Sequence, residues 1–342
     1  MKVLTFIIPA YNSESFLDKC VSSMLLPEIL DKLEIIIVND GSTDATERLA
    51  SEYSARFPDT VRLISQENRG HGGALNAGFA AAEGKYLKPI DADDWVETEN
   101  LPQFLRLLET CDSDVVLTHY RTIDISTGEV KNWRSYPTEF GKPYSFDEIM
   151  AQWRSFDRSL TFHGITYSTA FYRQHGIRLS EHVFYEDYQY AAFPCCYAAS
   201  ITPFDLFVYD YRIGDIQQSV SDANKLKRIS HIETVLNRMS QEYGCLTCGP
   251  AGKSYAARKT QELLLSYLTT ALLVVPDRKE GRSLAKARMA ECKARLPEAY
   301  ALALRKYQVF LLMNRLHISK RGWEKVLRSG IYNTIRKKHD FS

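Results

Sequence analysis

The stretch Tyr86-Leu87-Lys88-Pro89-Ile90-Asp91-Ala92-Asp93-Asp94 decides the fold, because it runs a short apolar segment straight into a knot of acids. An apolar run of this length followed at once by carboxylates reads as a buried strand, over residues 85–90, that ends in a polar turn. Carboxylates packed this closely repel one another and raise each other's pKa unless a cation sits among them. Oxygen-only donors on a turn suit a hard ion such as Mg2+ or Mn2+, which also holds phosphates. A solvated turn, or an N-cap for the next helix, would use the same residues.

Working outward, the pattern of strand, polar turn and helix repeats. Residues 3–8 form a run rich in β-branched side chains that Pro9 should stop. A helix should follow, capped by Asn12 or Ser13, with Phe16, Leu17, Cys20 and Met24 on one face. Residues 34–38 are a second strand, Asn39-Asp40-Gly41-Ser42 is turn chemistry, and residues 44–55 are helical. A third strand at 61–65 leads through a glycine-rich loop to a helix at 73–82; a helix at 99–110 and a fifth strand at 114–118 complete the series. Such alternation implies an α/β fold with a largely parallel sheet flanked by helices. Ligands of such sheets bind beyond the carboxyl ends of the strands, and the polar clusters after Ile8, Val38 and Ile90 lie there.

Residues 121–222, rich in aromatics and turn residues, read as an α+β extension, and residues 223–342 as helical with breaks at Gly249-Pro250 and Pro276. At 342 residues, 45% hydrophobic and 25% charged, the chain is neither disordered, collagen-like nor a disulfide-stapled miniprotein. Its net charge of +1 is a cancellation. Residues 1–120 hold 10 basic and 20 acidic side chains, residues 121–222 hold 9 and 13, and residues 223–342 hold 24 and 9. The apolar segment 263–275 is too short for a bilayer, which needs about 20 residues, and reads as a buried helix. The N-terminal apolar run is too short for a signal peptide, so a cytoplasmic location is expected. Seven cysteines, with one lone CxxC at Cys245-Leu246-Thr247-Cys248, suit reduced structural thiols.

Four segments taken together carry a resemblance: Ile7-Ile8-Pro9-Ala10-Tyr11-Asn12, Val38-Asn39-Asp40-Gly41-Ser42-Thr43-Asp44, Asn68-Arg69-Gly70 and the acidic cluster at 91–94. In order and spacing, residues 1–118 resemble the nucleotide-sugar-binding half of family 2 glycosyltransferases of bacterial surface-polysaccharide type, which have the GT-A fold. The resemblance implies that Pro9, Ala10 and Tyr11 hold the nucleotide base and that Asp40 accepts a hydrogen bond from it. It makes Asp91-Ala92-Asp93 the DxD motif, with Asp91 towards ribose or metal and Asp93 on the Mn2+ or Mg2+ that bridges the pyrophosphate. Asp94 is a weaker candidate, since helix capping would explain it too. In the loop Arg69-Gly70-His71-Gly72-Gly73, Arg69 is the expected diphosphate contact, the glycines could equally serve a tight turn, and His71 has no assigned role.

Glu186-Asp187, set among aromatics in Val183-Phe184-Tyr185-Glu186-Asp187-Tyr188-Gln189-Tyr190, looks like the Glu-Asp motif of bacterial members. There Asp187 would deprotonate the acceptor hydroxyl, with Glu186 assisting or binding the acceptor; an ion pair or helix cap is the structural alternative. Tyr190 stands where the family usually has Phe. Tyr209-Asp210-Tyr211-Arg212 and Gln218-Ser219-Val220-Ser221 resemble a strand and loop that close the site, from which Arg212 could reach the diphosphate. His163 is read as a satisfied structural histidine more readily than as part of the acceptor side.

These readings divide the chain into a nucleotide-sugar half (1–118), an acceptor half (119–222) and a basic helical region (223–342). Trp323, Val326, Leu327, Ile331 and Ile335 recur at helical spacing among basic residues, a pattern suited either to packing on the catalytic domain or to an anionic membrane surface through residues 315–342. No nucleic-acid motif accompanies that charge. The expected activity is metal-dependent, inverting transfer of a hexose from a nucleoside-diphosphate sugar, a UDP-sugar by resemblance, to a glycan or lipid-linked acceptor. A non-catalytic nucleotide-sugar-binding or membrane-recruited scaffold of the same fold is the alternative. A sugar-nucleotide pyrophosphorylase is disfavoured because Pro9-Ala10-Tyr11-Asn12-Ser13-Glu14 contains no glycine.

Overall fold

The structure, a computed structural model, describes residues 2–214 and 222–318. Gln218-Ser219-Val220-Ser221 and residues 319–342 of the basic tail lie outside the described residues. The chain divides into two compact units: Met1–Gln218 with Leu246–Ala256, and Ser219–Cys245 with Ala257–Ser342.

The first unit is built on a nine-stranded sheet. Its elements in chain order begin β1 (Leu4–Ala10), α1 (Leu17–Ser22), β2 (Leu33–Asp40), α2 (Thr46–Arg56), β3 (Val61–Gln66), α3 (Gly70–Ala81), β4 (Tyr86–Pro89) and β5 (Trp95–Val96). They continue with α4 (Leu101–Thr110), β6 (Val115–Asp124), β7 (Val130–Trp133), α5 (Phe146–Ala151), α6 (Trp153–Phe156), β8 (Ile165–Ser168), α7 (Thr169–His175), α8 (Asp187–Ala192) and β9 (Ile201–Ile213). The spatial order is β3-β2-β1-β4-β8-β6-β9-β5, with β7 on β6. Strands β1 to β4 pair in parallel, as βαβ connections demand, while β8 is antiparallel to both β4 and β6. The expected fifth strand, β6, is therefore separated from β4 by a strand that enters 40 residues later, and it runs on across the 118/119 boundary drawn from sequence. β1 and β2 are buried along their whole length, which is why both read as nearly continuous apolar runs.

Pro9 does not stop β1; the strand continues to Ala10. Ile7 accepts the Ile90 amide, so Pro9, two residues on, faces the same side, where the β4 ladder has already ended at Ile7↔Pro89. The missing N–H thus costs no ladder bond. Neither Asn12 nor Ser13 caps α1, whose N-cap is Phe16. Asn12 sits at φ 48°, and its Oδ1 accepts from the Thr43 amide at 2.8 Å, lacing the β1 loop to the β2 loop. The residues read as a glycine-rich loop form the first turn of α3, which begins at Gly70.

In the second unit, α9 (Asp222–Lys227), α10 (Ile229–Gly244), α12 (Arg278–Arg295) and α13 (Pro297–Arg315) are helical, and the chain of α11 (Pro250–Thr269) passes into it. The segment 263–275 is buried at Leu263, Leu264, Tyr267, Leu268, Ala271, Leu272 and Leu273, and its end winds into a π-helical turn, Thr270–Val274. Asn314 of α13 donates to the Leu272 carbonyl at 2.7 Å there and accepts from Arg282 at 2.7 Å. No helix among the described residues is long and apolar enough to cross a membrane.

Candidate functional site

Three strand ends converge. Beyond β1, Tyr11 is 52% exposed, whereas Pro9 and Ala10 are buried in the strand. At the end of β2, Asp40 is buried and its Oδ1 accepts from the Arg69 amide at 2.9 Å and from Gln66 at 2.7 Å. Gly41, at φ 72°, lies so close to Asn68 that a Cβ would stand 2.9 Å from its backbone nitrogen.

Beyond β4 the acids fold back on themselves. Carboxylate oxygens of Asp91, Asp93 and Asp94 all lie within 4.8 Å of one another. Asp94 does not cap a helix. It is buried, with Oδ2 accepting from the Tyr209 hydroxyl at 2.6 Å and Oδ1 from the Arg212 amide at 2.8 Å, so β9 holds the turn from behind. Tyr209 Oη also accepts the Asp91 amide at 3.1 Å. Burial, with Asp91 and Asp93 beside it, pushes the Asp94 carboxyl well up; burial and the Asp91 charge push Asp93 up to about 6. Both Asp94 oxygens being engaged, Asp91 and Asp93 are the donors open to a cation. Hard oxygens that repel one another in a partly buried turn fit Mg2+ or Mn2+. Arg212 stands beside them, with Nη1 3.7 Å from Asp93 Oδ2 and its guanidinium over the Phe16 ring.

The opposite wall is α3 against the segment leading into α8. Arg69 is the N-cap of α3, but its guanidinium is already paired with Glu181, at 2.7 Å to Oε1 and 3.1 Å from Nε to Oε2, and Glu181 also receives Arg178. His71, in the first turn, spans the cleft: Nε2 is 2.8 Å from Asp91 Oδ1 and Nδ1 is 2.5 Å from Glu186 Oε1. Burial works to raise Asp91's pKa, yet the charge and hydrogen bond of His71 outweigh it and hold that carboxyl low. Glu186 is 2% exposed, precedes α8 without a side-chain cap, and its second oxygen, Oε2, is buried with no hydrogen-bond partner among the described residues. Asp187 opens α8, and burial together with the Glu186 charge pushes it up to about 7. Tyr190 is fully buried, and its extra hydroxyl donates to the Ile165 carbonyl at 3.4 Å.

His163 packs between Tyr120 (5.0 Å) and Tyr211 (4.4 Å) in near-parallel stacks, and burial drives its pKa down to about 4, so the ring is neutral. Below it the fully buried Lys88 donates to the His163 and Ile165 carbonyls at 2.7 and 3.1 Å, and burial lowers its pKa to about 7. Burial pushes the Tyr211 hydroxyl upward, and the charges of Asp94, Asp91, Asp187 and Asp93 push it the same way.

Asp91, Asp93, Asp187, Glu186 and Arg212 thus meet at one cleft, with Asp40 and Tyr11 along the strand ends. His71 and Glu181 were given no role from sequence, and Tyr209 and Tyr211 entered only within the segment expected to close the site. The glycines around His71 were the one local signal of a close approach there; the Tyr209–Asp94 and Arg69–Glu181 pairs, each more than a hundred residues apart, left no sequence trace.

The sequence and the fold match known proteins. The family described as glycosyl transferase family 2 matches residues 5–175, half of the chain. The glycosyltransferase GlyA of Streptococcus pneumoniae serotype 4 is 33% identical over 125 residues, which are 36% of this chain and 18% of GlyA. The chain spans less than half the length of the curated relatives it matches. Among solved structures, Staphylococcus aureus TarS 1–349 in complex with UDP-GlcNAc shares the fold, at 19% identity and TM-score 0.57 over 93% of this chain and 92% of that one. The mannosyltransferase PcManGT of Pyrobaculum calidifontis, in complex with GDP-Man and Mn2+, aligns at 17% identity and TM-score 0.50 over 91% and 84%. With the family match on the strands that build the cleft and GT-A-type neighbours over nearly the whole chain, this protein belongs to glycosyl transferase family 2.

Proposed function

We propose that the protein is a metal-dependent, inverting glycosyltransferase that moves a hexose from a UDP-sugar to a hydroxyl of a glycan or lipid-linked acceptor in surface-polysaccharide synthesis. The observation that carries this reading is the pairing, in one cleft, of the acid turn at the end of β4 with a carboxyl, Asp187, poised at about 7. A base working near neutral pH has this pKa. Residues 1–118 supply the donor half and residues 119–222 the acceptor half. Tyr11, Pro9 and Ala10 frame the nucleotide base and Asp40 accepts from it, through the oxygen that Arg69 and Gln66 leave open. Asp91 and Asp93 hold Mn2+ or Mg2+, which when bound neutralises the diphosphate charge. Arg212, and Arg69 in exchange with Glu181, add positive charge to the leaving group.

Asp187 accepts the acceptor's hydroxyl proton as the oxygen bonds to C1; the C1–O bond to phosphate breaks, and its electron pair leaves with the nucleoside diphosphate. One displacement by one base inverts the anomeric centre. Leu312 near the end of α13 and Leu316 just past it are 56% and 61% exposed on either side of Arg315, a start suited to docking residues 315–342 on the anionic inner face of the membrane. The test is release of nucleoside diphosphate from a sugar-nucleotide panel with and without Mn2+. Asp93→Ala and Asp187→Ala should each abolish it, EDTA should silence the native protein, and unchanged turnover in both variants rejects the mechanism. Sedimentation with anionic but not neutral vesicles checks the docking.

A further inference from the structure

We infer that His71 is a positioning residue that clamps Asp91 on the donor side to Glu186 on the acceptor side, so that one imidazole sets the geometry of both halves of the site. The inference rests on the donor and acceptor roles proposed above. Carboxylates accept hydrogen bonds, so each ring nitrogen donates: Nε2 to Asp91 Oδ1 at 2.8 Å and Nδ1 to Glu186 Oε1 at 2.5 Å. The two acids are far apart in the sequence, and these two bonds join them through a single side chain.

The clamp is held from several directions. His71 sits in the first turn of α3, and Phe162 packs at 6.0 Å from its ring. Gly72 brings this turn so close to the opposite wall that a Cβ there would stand 3.0 Å from Glu186 Cγ and 2.2 Å from the Ser180 carbonyl oxygen. With Oε1 pinned, Glu186 Oε2 is left buried and without a hydrogen-bond partner among the described residues, an acceptor atom with its desolvation cost already incurred. A nucleophilic hydroxyl donating to that oxygen would be lined up beside Asp187. On the other side, Nε2 fixes one oxygen of Asp91 and leaves the second for ribose or cation, as outer-shell partners of metal ligands do.

The two nitrogens can be removed separately. Asparagine places its amide where Nδ1 stands, so His71→Asn keeps the bond to Glu186 and loses the one to Asp91. Glutamine reaches the position of Nε2, so His71→Gln does the reverse. Binding of UDP with Mn2+ by calorimetry reads the donor side, and hydrolytic release of UDP from whichever UDP-sugar the native protein cleaves reads the chemistry. His71→Asn should weaken UDP–Mn2+ binding roughly 10–100-fold with kcat nearly kept, and His71→Gln should lower kcat by a similar factor with UDP–Mn2+ binding kept. Equal effects of the two variants on both quantities, the reverse split, or native values throughout overturn the clamp.

If either variant melts well below the native protein, Glu186→Ala, which removes the acceptor of the Nδ1 bond, gives a second route. It should reproduce the His71→Gln profile, and adding His71→Gln to it should cost nothing further, because residues acting as a unit are not additive. Full additivity overturns the clamp. Loss of turnover in Asp93→Ala and Asp187→Ala alongside such a result rejects the clamp alone, whereas intact turnover in those two rejects the site assignment beneath it.

Discussion

Gly72→Ala tests the packing of the cleft with the smallest possible change. Gly72 is buried in the first turn of α3, and two effects oppose each other when it gains a methyl group. Alanine is the better helix former, by about 1 kcal/mol. Against this, the new Cβ would lie 2.2 Å from the Ser180 carbonyl oxygen and 3.0 Å from Glu186 Cγ. Backbone cannot yield as a long side chain does, so the segment carrying Ser180 and Glu186 must retreat by about 1 Å, an overpacking cost of roughly 1–3 kcal/mol. A clash this close to backbone lies in the upper part of that range, for a net loss of up to about 2 kcal/mol. Function should suffer more than stability, since a displacement of about 1 Å at a positioned group costs on the order of 100-fold in rate. Thermal melting and nucleotide-release kinetics on Gly72→Ala read the two quantities. Gly249→Ala, where a Cβ meets nothing within 4 Å among the described residues, serves as the control and should keep native turnover. A Gly72→Ala protein with native melting temperature and full turnover would refute the close approach on which the Glu186 geometry depends.

The other expectations concern charge. Asp187 must be ionised to accept a proton, and its folded pKa is about 7, so kcat/KM should rise with pH, bend near 7 and level off above it; a flat profile between about pH 5.5 and 8.5 contradicts that role. The same shift has a stability consequence. The folded carboxyl keeps its proton up to about 7 while the unfolded one releases it near 4, so the native protein gives up stability as pH rises through this window. Asp187→Asn does not, and its melting temperature relative to native should climb between those pH values. Tyr209→Phe removes a donor to Asp94 from a fully buried site and leaves a carboxyl oxygen unsatisfied, at a cost of roughly 1–3 kcal/mol in urea unfolding; a loss below about 0.5 kcal/mol would show that the hydroxyl does not hold the acid turn.

Much of this protein was legible in one dimension because strand, turn and helix are short-range events. The buried strands around Phe6 and Ile36 announce themselves as apolar runs, and the parallel order of β1 to β4 follows from the helices between them. The acids at 91–94 stood out because carboxylates bunched at a strand end are costly unless they do something, and those at 186–187 through the resemblance to the Glu-Asp motif of bacterial family members. Local signals failed where a long-range partner outbid them. Asn12 was free to cap α1 but bonds Thr43 across the loop, and Pro9 was free to end β1 but lies where no ladder bond is required.

By itself, then, the sequence determined the α/β class, the family and the acidic residues that meet in the cleft. Only the tertiary structure decided which of those acids are open and which are tied: Asp94 to Tyr209 and Arg212, Arg69 to Glu181, and Asp91 and Glu186 to the two faces of His71. The physical reason is distance. A side chain's charge and hydrogen bonds are set by whatever lies within a few ångströms, and in this cleft those neighbours come from segments about a hundred residues apart.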